Sequence, residues 1–157
     1  MNWREWLNSW GMTSLKIKPP FLEMEFSPGD HDKAAAWDLY VELLTRITTQ
    51  ALPDDDGVEQ AALSSVFKLF ELTRTTLKSH GRKCAEFSKI AVVVLNQVIR
   101  PFTARWHKLS TEGAFADPAH CKTFRSELVA LQADLRKYTK MLADMAGVED
   151  LTDLEEA

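Results

Sequence analysis

The chain has 157 residues and a mass of 17.8 kDa, the size of one domain, with 45% hydrophobic and 27% charged residues, close to the average for soluble globular proteins. A formal charge of −4 and a pI near 5.6 exclude a uniformly basic nucleic-acid coat or a polybasic membrane tether. The longest apolar run, Ala91-Val92-Val93-Val94-Leu95, is far short of the roughly 20 residues that span a bilayer, and Met1–Leu7 lacks the cationic and apolar regions of a signal peptide.

Residues 1–26 read as an N-terminal arm. Trp3, Trp6, Leu7 and Trp10 follow the i, i+3, i+4, i+7 pattern of a short amphipathic helix. Gly11 ends it. Thr13–Lys18 and Phe21–Phe26 then alternate apolar and polar residues around Pro19-Pro20. That alternation predicts a small extended or β arm, with Leu22, Met24 and Phe26 facing inward.

Residues 27–147 read as a helical bundle. Ser27-Pro28-Gly29-Asp30 has the cap, the first-turn proline and the acid of a helix start. The first long helix is expected to reach about Leu52, with Trp37, Tyr40, Val41, Leu44, Ile47 and Ala51 inside. After a turn at Pro53–Gly57, a second helix from about Val58 to Ser79 is expected to bury Ala62, Val66, Leu69, Phe70, Thr73 and Leu77. The third starts near Arg82 and is apolar around most of its middle, from Phe87 to Ile99, which predicts the most buried position. Pro101 is expected to kink or break it, with Phe102, Trp106 and Leu109 continuing the apolar face. Asp117-Pro118 opens the last helix, where Phe124, Leu128, Leu131, Leu135, Tyr138, Leu142 and Met145 form an unbroken a/d seam. Gly147 caps it, and an acidic tail occupies residues 148–157. The predicted fold is all-α, a four-helix antiparallel bundle with a short amphipathic helix and a small extended arm at its N-terminus. The seam suits either the bundle core or a homodimer through the last helix.

The net charge conceals a segregation. Between Phe67 and Ser110 stand nine Lys/Arg against two acids, so that segment carries +7 and the remainder −11 of the total −4. Arg74, Lys78, His80, Arg82 and Lys83 cluster at the turn between the second and third helices. Arg100, Arg105, His107 and Lys108 form a second group, roughly 27 Å from Arg82 at 1.5 Å rise per residue. Such a surface suits a phosphate, RNA or an acidic partner, or it is a solvated face.

Two Arg/His pairs lie within it, Arg74 with His80 and Arg100 with His107, separated by five and six residues. Their spacing resembles the loose R-x4–6-H signature of HEPN ribonucleases, all-helical domains of about this size. The resemblance implies metal-independent RNA cleavage through the 2′-hydroxyl, with arginine stabilising the transition state and histidine moving protons. HEPN sites commonly carry a polar residue after the arginine; Thr75 fits and Pro101 does not. At 100° per residue Arg100 and His107 share a face, whereas Arg74 and His80 do so only if the helix unwinds at Gly81.

His31 between two aspartates and His120 beside Cys121 have no ExxH or HExxH context, so no metal and no cofactor are expected. Cys84 and Cys121 form no CxxC spacing and read as a reduced pair, which predicts a cytoplasmic setting, and the compactness of the chain suggests a bacterial one. Cys84 follows two cations near a helix start, a setting that lowers a thiol pKa, though burial is the commoner fate.

The leading expectation is a non-catalytic helical adaptor or regulatory subunit of a multi-protein assembly, such as an antiviral defence complex. It would dock a protein partner through Trp3, Trp6, Leu7 and Trp10 and through the basic hairpin. The alternatives are an HEPN-like ribonuclease and a phosphate- or nucleotide-sensing regulator that uses Arg74, Lys78, Arg82 and Lys83. Nucleic acid is a less favoured partner, and no membrane is expected.

Overall fold

In the computed structural model, which describes residues 1–11, 19–46 and 58–156, the chain is all-α. Helix α1 is Trp3–Ser9, α2 Asp30–Leu44, α3 Glu59–His80, α4 Ala85–Val94, α5 Arg100–Thr111 and α6 Pro118–Ala146. α4 and α5 are halves of one rod, joined by a π-helical turn at Leu95–Ile99. Four rods therefore make the bundle: α2 packs mainly on α6 and α3, and α3 packs on α5.

Local chemistry sets the boundaries. Asn2 and Glu5 form a capping box at α1, with the Glu5 N–H on Asn2 Oδ1 at 2.9 Å and the Asn2 N–H on Glu5 Oε2 at 3.1 Å. Asp117 caps α6 through the Ala119 N–H at 3.1 Å. Gly81 and Gly147 end α3 and α6 with φ of 69° and 70°, a region that side chains with a Cβ avoid.

The described part of the extended arm, residues 19–26, is not a strand. The arm's first part, residues 12–18, lies outside the described residues. Phe21–Met24 is a tight turn closed by the Met24 N–H on Phe21 O at 3.0 Å, and among the described residues strand-like pairing is confined to one bridge between Asn2 and Glu25. The turn breaks the alternation, so Phe21 is buried while Met24 is 51% exposed. Its carbonyls serve α1 instead: Met24 O and Leu22 O accept the Trp3 and Arg4 N–H groups at 3.0 and 2.9 Å. These are donors that a helix start leaves without internal partners.

Two further expectations shift. α2 ends at Leu44, and its buried face is Ala35, Ala36, Leu39, Tyr40 and Leu43, one residue out of phase with the predicted face. Trp37 and Val41 therefore stand 46% and 37% exposed. The two alanines allow close approach to α4 and α6, and that close approach decides the phase. Ile47 and Ala51 lie outside the described residues. Pro101 does not break its rod, because the Arg100 N–H reaches Leu95 O and the widened turn absorbs the missing donor.

All seven seam residues of α6 are buried within the chain, so the seam is a core stripe. Val129, 63% exposed, is the large apolar residue left outside on that helix. The acidic C-terminal segment stays on the bundle. Tyr40 Oη accepts the Leu151 N–H at 2.7 Å, Thr152 is buried, and Lys140 pairs with Asp153 at 2.9 Å.

Candidate functional site

The N-terminal tryptophans are built into the core rather than presented for docking. Trp3, Trp6 and Leu7 are 0%, 2% and 1% exposed, and Trp10 is partly buried against them. Trp3 meets Phe21 and Phe26 edge-on, each with ring centroids 4.9 Å apart, and Trp6 stacks on Phe26 at 4.3 Å. Both indole N–H groups find carboxylates on the bundle: Trp3 Nε1 donates to Glu86 at 2.9 Å and Trp6 Nε1 to Asp144 at 2.8 Å. Trp3, Trp6 and Leu7 thus present no exposed apolar face, and both indole donors are already satisfied.

The basic hairpin keeps its charge at the surface. Arg74, Lys78, Arg82 and Lys83 are exposed and form no ion pair among the described residues. Other cations are engaged, including Lys68 with Glu71 at 2.6 Å, Lys89 with Glu86 at 2.9 Å and Arg105 with Glu127 at 2.7 Å. The Lys68 hydrogen bond first, and the Arg74 charge more weakly, hold the Glu71 carboxyl below its ordinary range.

The structure does not join either Arg/His pair by a hydrogen bond. α3 stays helical through His80, so Arg74 and His80 lie about 120° apart around it. His80 is committed to α2 instead, with Nε2 2.6 Å from Asp38 Oδ2. Arg100 and His107 share a face of α5, where the Arg100 guanidinium lies 4.7 Å over the Phe70 ring and His107 meets Phe67 edge-on at 4.7 Å.

Two of the surface concavities among the described residues combine the size of small recognition sites with a mixed apolar and polar lining. One, of about 380 Å³, runs between α2 and α3, with Trp37, Val41 and Leu72 as its apolar part and Asp38, Thr75 and Ser79 as its polar part. Asp38 and Ser79 mark the end that abuts the Gly81–Cys84 turn, which carries Arg82 and Lys83. The other, of about 360 Å³, lies between α5 and α6 around Phe102, Trp106 and Glu127.

Sequence reasoning missed Trp37 as a surface residue because its place in the heptad looks internal. The signal that could have found it is Ala35-Ala36, which marks the closely packed face. Cys84 is buried with its thiol on Gly81 O, which leaves no accessible nucleophile there. Burial first, and the Glu59 charge next, push the Cys121 thiol up. Among the described residues no group of three His, Cys, Asp or Glu is placed to hold a metal, and no helix is long and apolar enough to cross a membrane.

Fold and surface together define an all-α four-helix bundle with a Trp-bearing groove beside a cationic turn. No family model, curated protein or solved structure matches the chain.

Proposed function

We propose that the protein is a non-catalytic interaction module that binds an acidic, amphipathic segment of a partner protein along the α2–α3 groove. The observation that carries this reading is Trp37, 46% exposed on a groove that ends at an unpaired cationic turn. Tryptophan supplies large contact area at low entropic cost and dominates many interfaces. An apolar anchor would seat on Trp37, Val41 and Leu72, and acidic side chains would meet Arg82 and Lys83. Glu42 is already paired with Arg46 at 3.0 Å, and Asp38 Oδ2 is engaged in a 2.6 Å hydrogen bond with His80 Nε2, so neither carboxylate stands free in the groove.

The experiment is a fluorescence-anisotropy titration with acidic and basic amphipathic peptides of equal apolar content. The acidic peptide binds more tightly, and both Trp37→Ala and the Arg82→Glu/Lys83→Glu double variant weaken it. Equal binding of the two peptides, or indifference to both variants, overturns the reading.

A second reading is favoured by one observation, the shared face of Arg100 and His107, and takes the protein as a metal-independent ribonuclease. RNA cleavage in chelator that disappears in His107→Ala but persists in His80→Ala supports it. No cleavage by the wild type disposes of it.

A further inference from the structure

The edge where α3 meets α5 lies outside both concavities and joins an open aromatic ring to a run of cations. At 100° per residue, Arg74 and Lys78 fall within about 20° of Phe67 around α3, so the three share one face. Val66, Leu69 and Phe70 carry the packing of that helix, whereas Phe67 stands outside the core and is 48% exposed. His107 of α5 supports it edge-on, which leaves a ring face open to solvent.

The cations around this ring keep their charge. Arg74, Lys78, Arg100 and Lys108 are all exposed, and none pairs with a carboxylate among the described residues. Arg100 is held in place without an acid: its Nε donates to Asn96 Oδ1 at 3.1 Å and its plane lies over Phe70. The terminal fork of that guanidinium is thus preorganised to donate outward, a geometry that suits phosphate. Glu71 is the one acid between Phe67 and Lys78, and Lys68 already neutralises it at 2.6 Å; α5 has none between Arg100 and Lys108. From Phe67 to Lys78 the strip runs about 16 Å along α3, the length of about five stacked nucleotides at roughly 3.4 Å each.

We propose that the α3–α5 edge binds single-stranded nucleic acid. An unpaired base stacks on the open face of Phe67. Phosphates toward the Gly81 turn meet Arg100, Arg74 and Lys78, and those on the other side meet Lys108. A polymer that alternates planar rings with anions uses both features of the strip. An acidic peptide would use the cations and leave Phe67 idle, and a duplex would keep its base faces hidden. Neither the α2–α3 groove nor any bond cleavage enters this inference.

The test is fluorescence anisotropy of the full chain with a labelled deoxythymidylate strand of about twelve nucleotides. That strand lacks the 2′-hydroxyl, so it reports binding whether or not the protein cleaves RNA. It binds, and the logarithm of its affinity falls against that of salt with a slope of about −3, near −0.7 for each of four phosphates. Phe67→Leu, which keeps an apolar side chain outside the core, weakens binding about tenfold at unchanged slope, and Phe67→Tyr retains it. The Arg74→Gln/Lys78→Gln double variant lowers affinity and makes the slope about half as steep. Equal competition by a duplex or by polyglutamate of the same charge, wild-type binding by Phe67→Leu, or no binding at low salt overturns the proposal.

Discussion

The carboxylate of Asp32 accepts the backbone N–H of Phe87 at 2.9 Å across 55 residues of sequence. Its second oxygen accepts the Gly29 N–H at 2.8 Å, so one buried side chain serves the starts of both α2 and α4. Cys84, at the cap position of α4, gives no side-chain cap of its own. Asp32→Ala strips both donors inside the core and is expected to lower stability by about 2–3 kcal/mol in urea denaturation. Loss of less than about 0.5 kcal/mol would show that water replaces the carboxylate freely.

The N-terminal helix is expected to behave as core. Trp3→Ala removes a fully buried ring and leaves Glu86 without its indole donor, costing about 3–5 kcal/mol in the same assay. Trp3→Phe keeps most of the ring packing and isolates the indole hydrogen bond, at about 1–2 kcal/mol. Deleting residues 1–11 should lower the unfolding midpoint steeply. An unchanged midpoint would mark the segment as an appendage.

At acid pH the pair between Glu59 and Arg125, 3.0 Å apart, is the one to watch. Burial raises the Glu59 carboxyl, but the Arg125 hydrogen bond, the backbone N–H of Glu59 itself and the Arg125 charge together outweigh it and hold the folded-state value below the usual range. The unfolded chain thus binds the proton more readily. The pair's stabilisation is complete above the unfolded value near 4.5 and fades as pH falls through the lowered folded one. Glu59→Gln is expected to flatten that part of the stability–pH curve, as followed by denaturation at a series of pH values.

Tyr138 offers a case of the opposite sign. Its ring lies in the α6 core stripe while its hydroxyl is buried without a partner, and burial holds that phenol far above its ordinary pKa. Tyr138→Phe removes an unmet donor and is expected to be neutral or stabilising by up to about 1 kcal/mol in thermal unfolding. A loss of that size instead would show that the hydroxyl is hydrogen-bonded in solution.

How far the residues alone disclose this arrangement depends on the kind of signal. The bundle is legible because the heptad seam of α6, the Gly81 and Gly147 stops and the Asp117-Pro118 start agree with one another. The phase of α2 was hidden, because Ala35 and Ala36 carry little hydropathy weight while Trp37 carries much. The fate of the Trp-rich start was hidden too. Burial of Trp3 and Trp6 depends on Glu86 and Asp144, acids more than eighty residues away in sequence that no local pattern connects to them. The open ring of Phe67 beside His107 was illegible for a related reason, since the meeting of two helix faces is a property of packing and leaves no trace in residue order.

The π-helical turn before Pro101 fixes a rotational phase. Buried Ala91, Leu95, Ile99 and Thr103 step by four, a spacing that would drift by about 40° a step around a continuous α-helix. The surplus residue held at Leu95–Ile99 turns everything beyond it by about 100° relative to a continuous α-helix, and Pro101 blocks that surplus from migrating onward. Trp106 reaches the core and Arg105 reaches Glu127 only in the rotated setting. Deleting one residue from this turn would take out the surplus and leave α4 and α5 set as they are, whereas straightening it with every residue kept would swing Arg105 toward the core and carry Trp106 out of it.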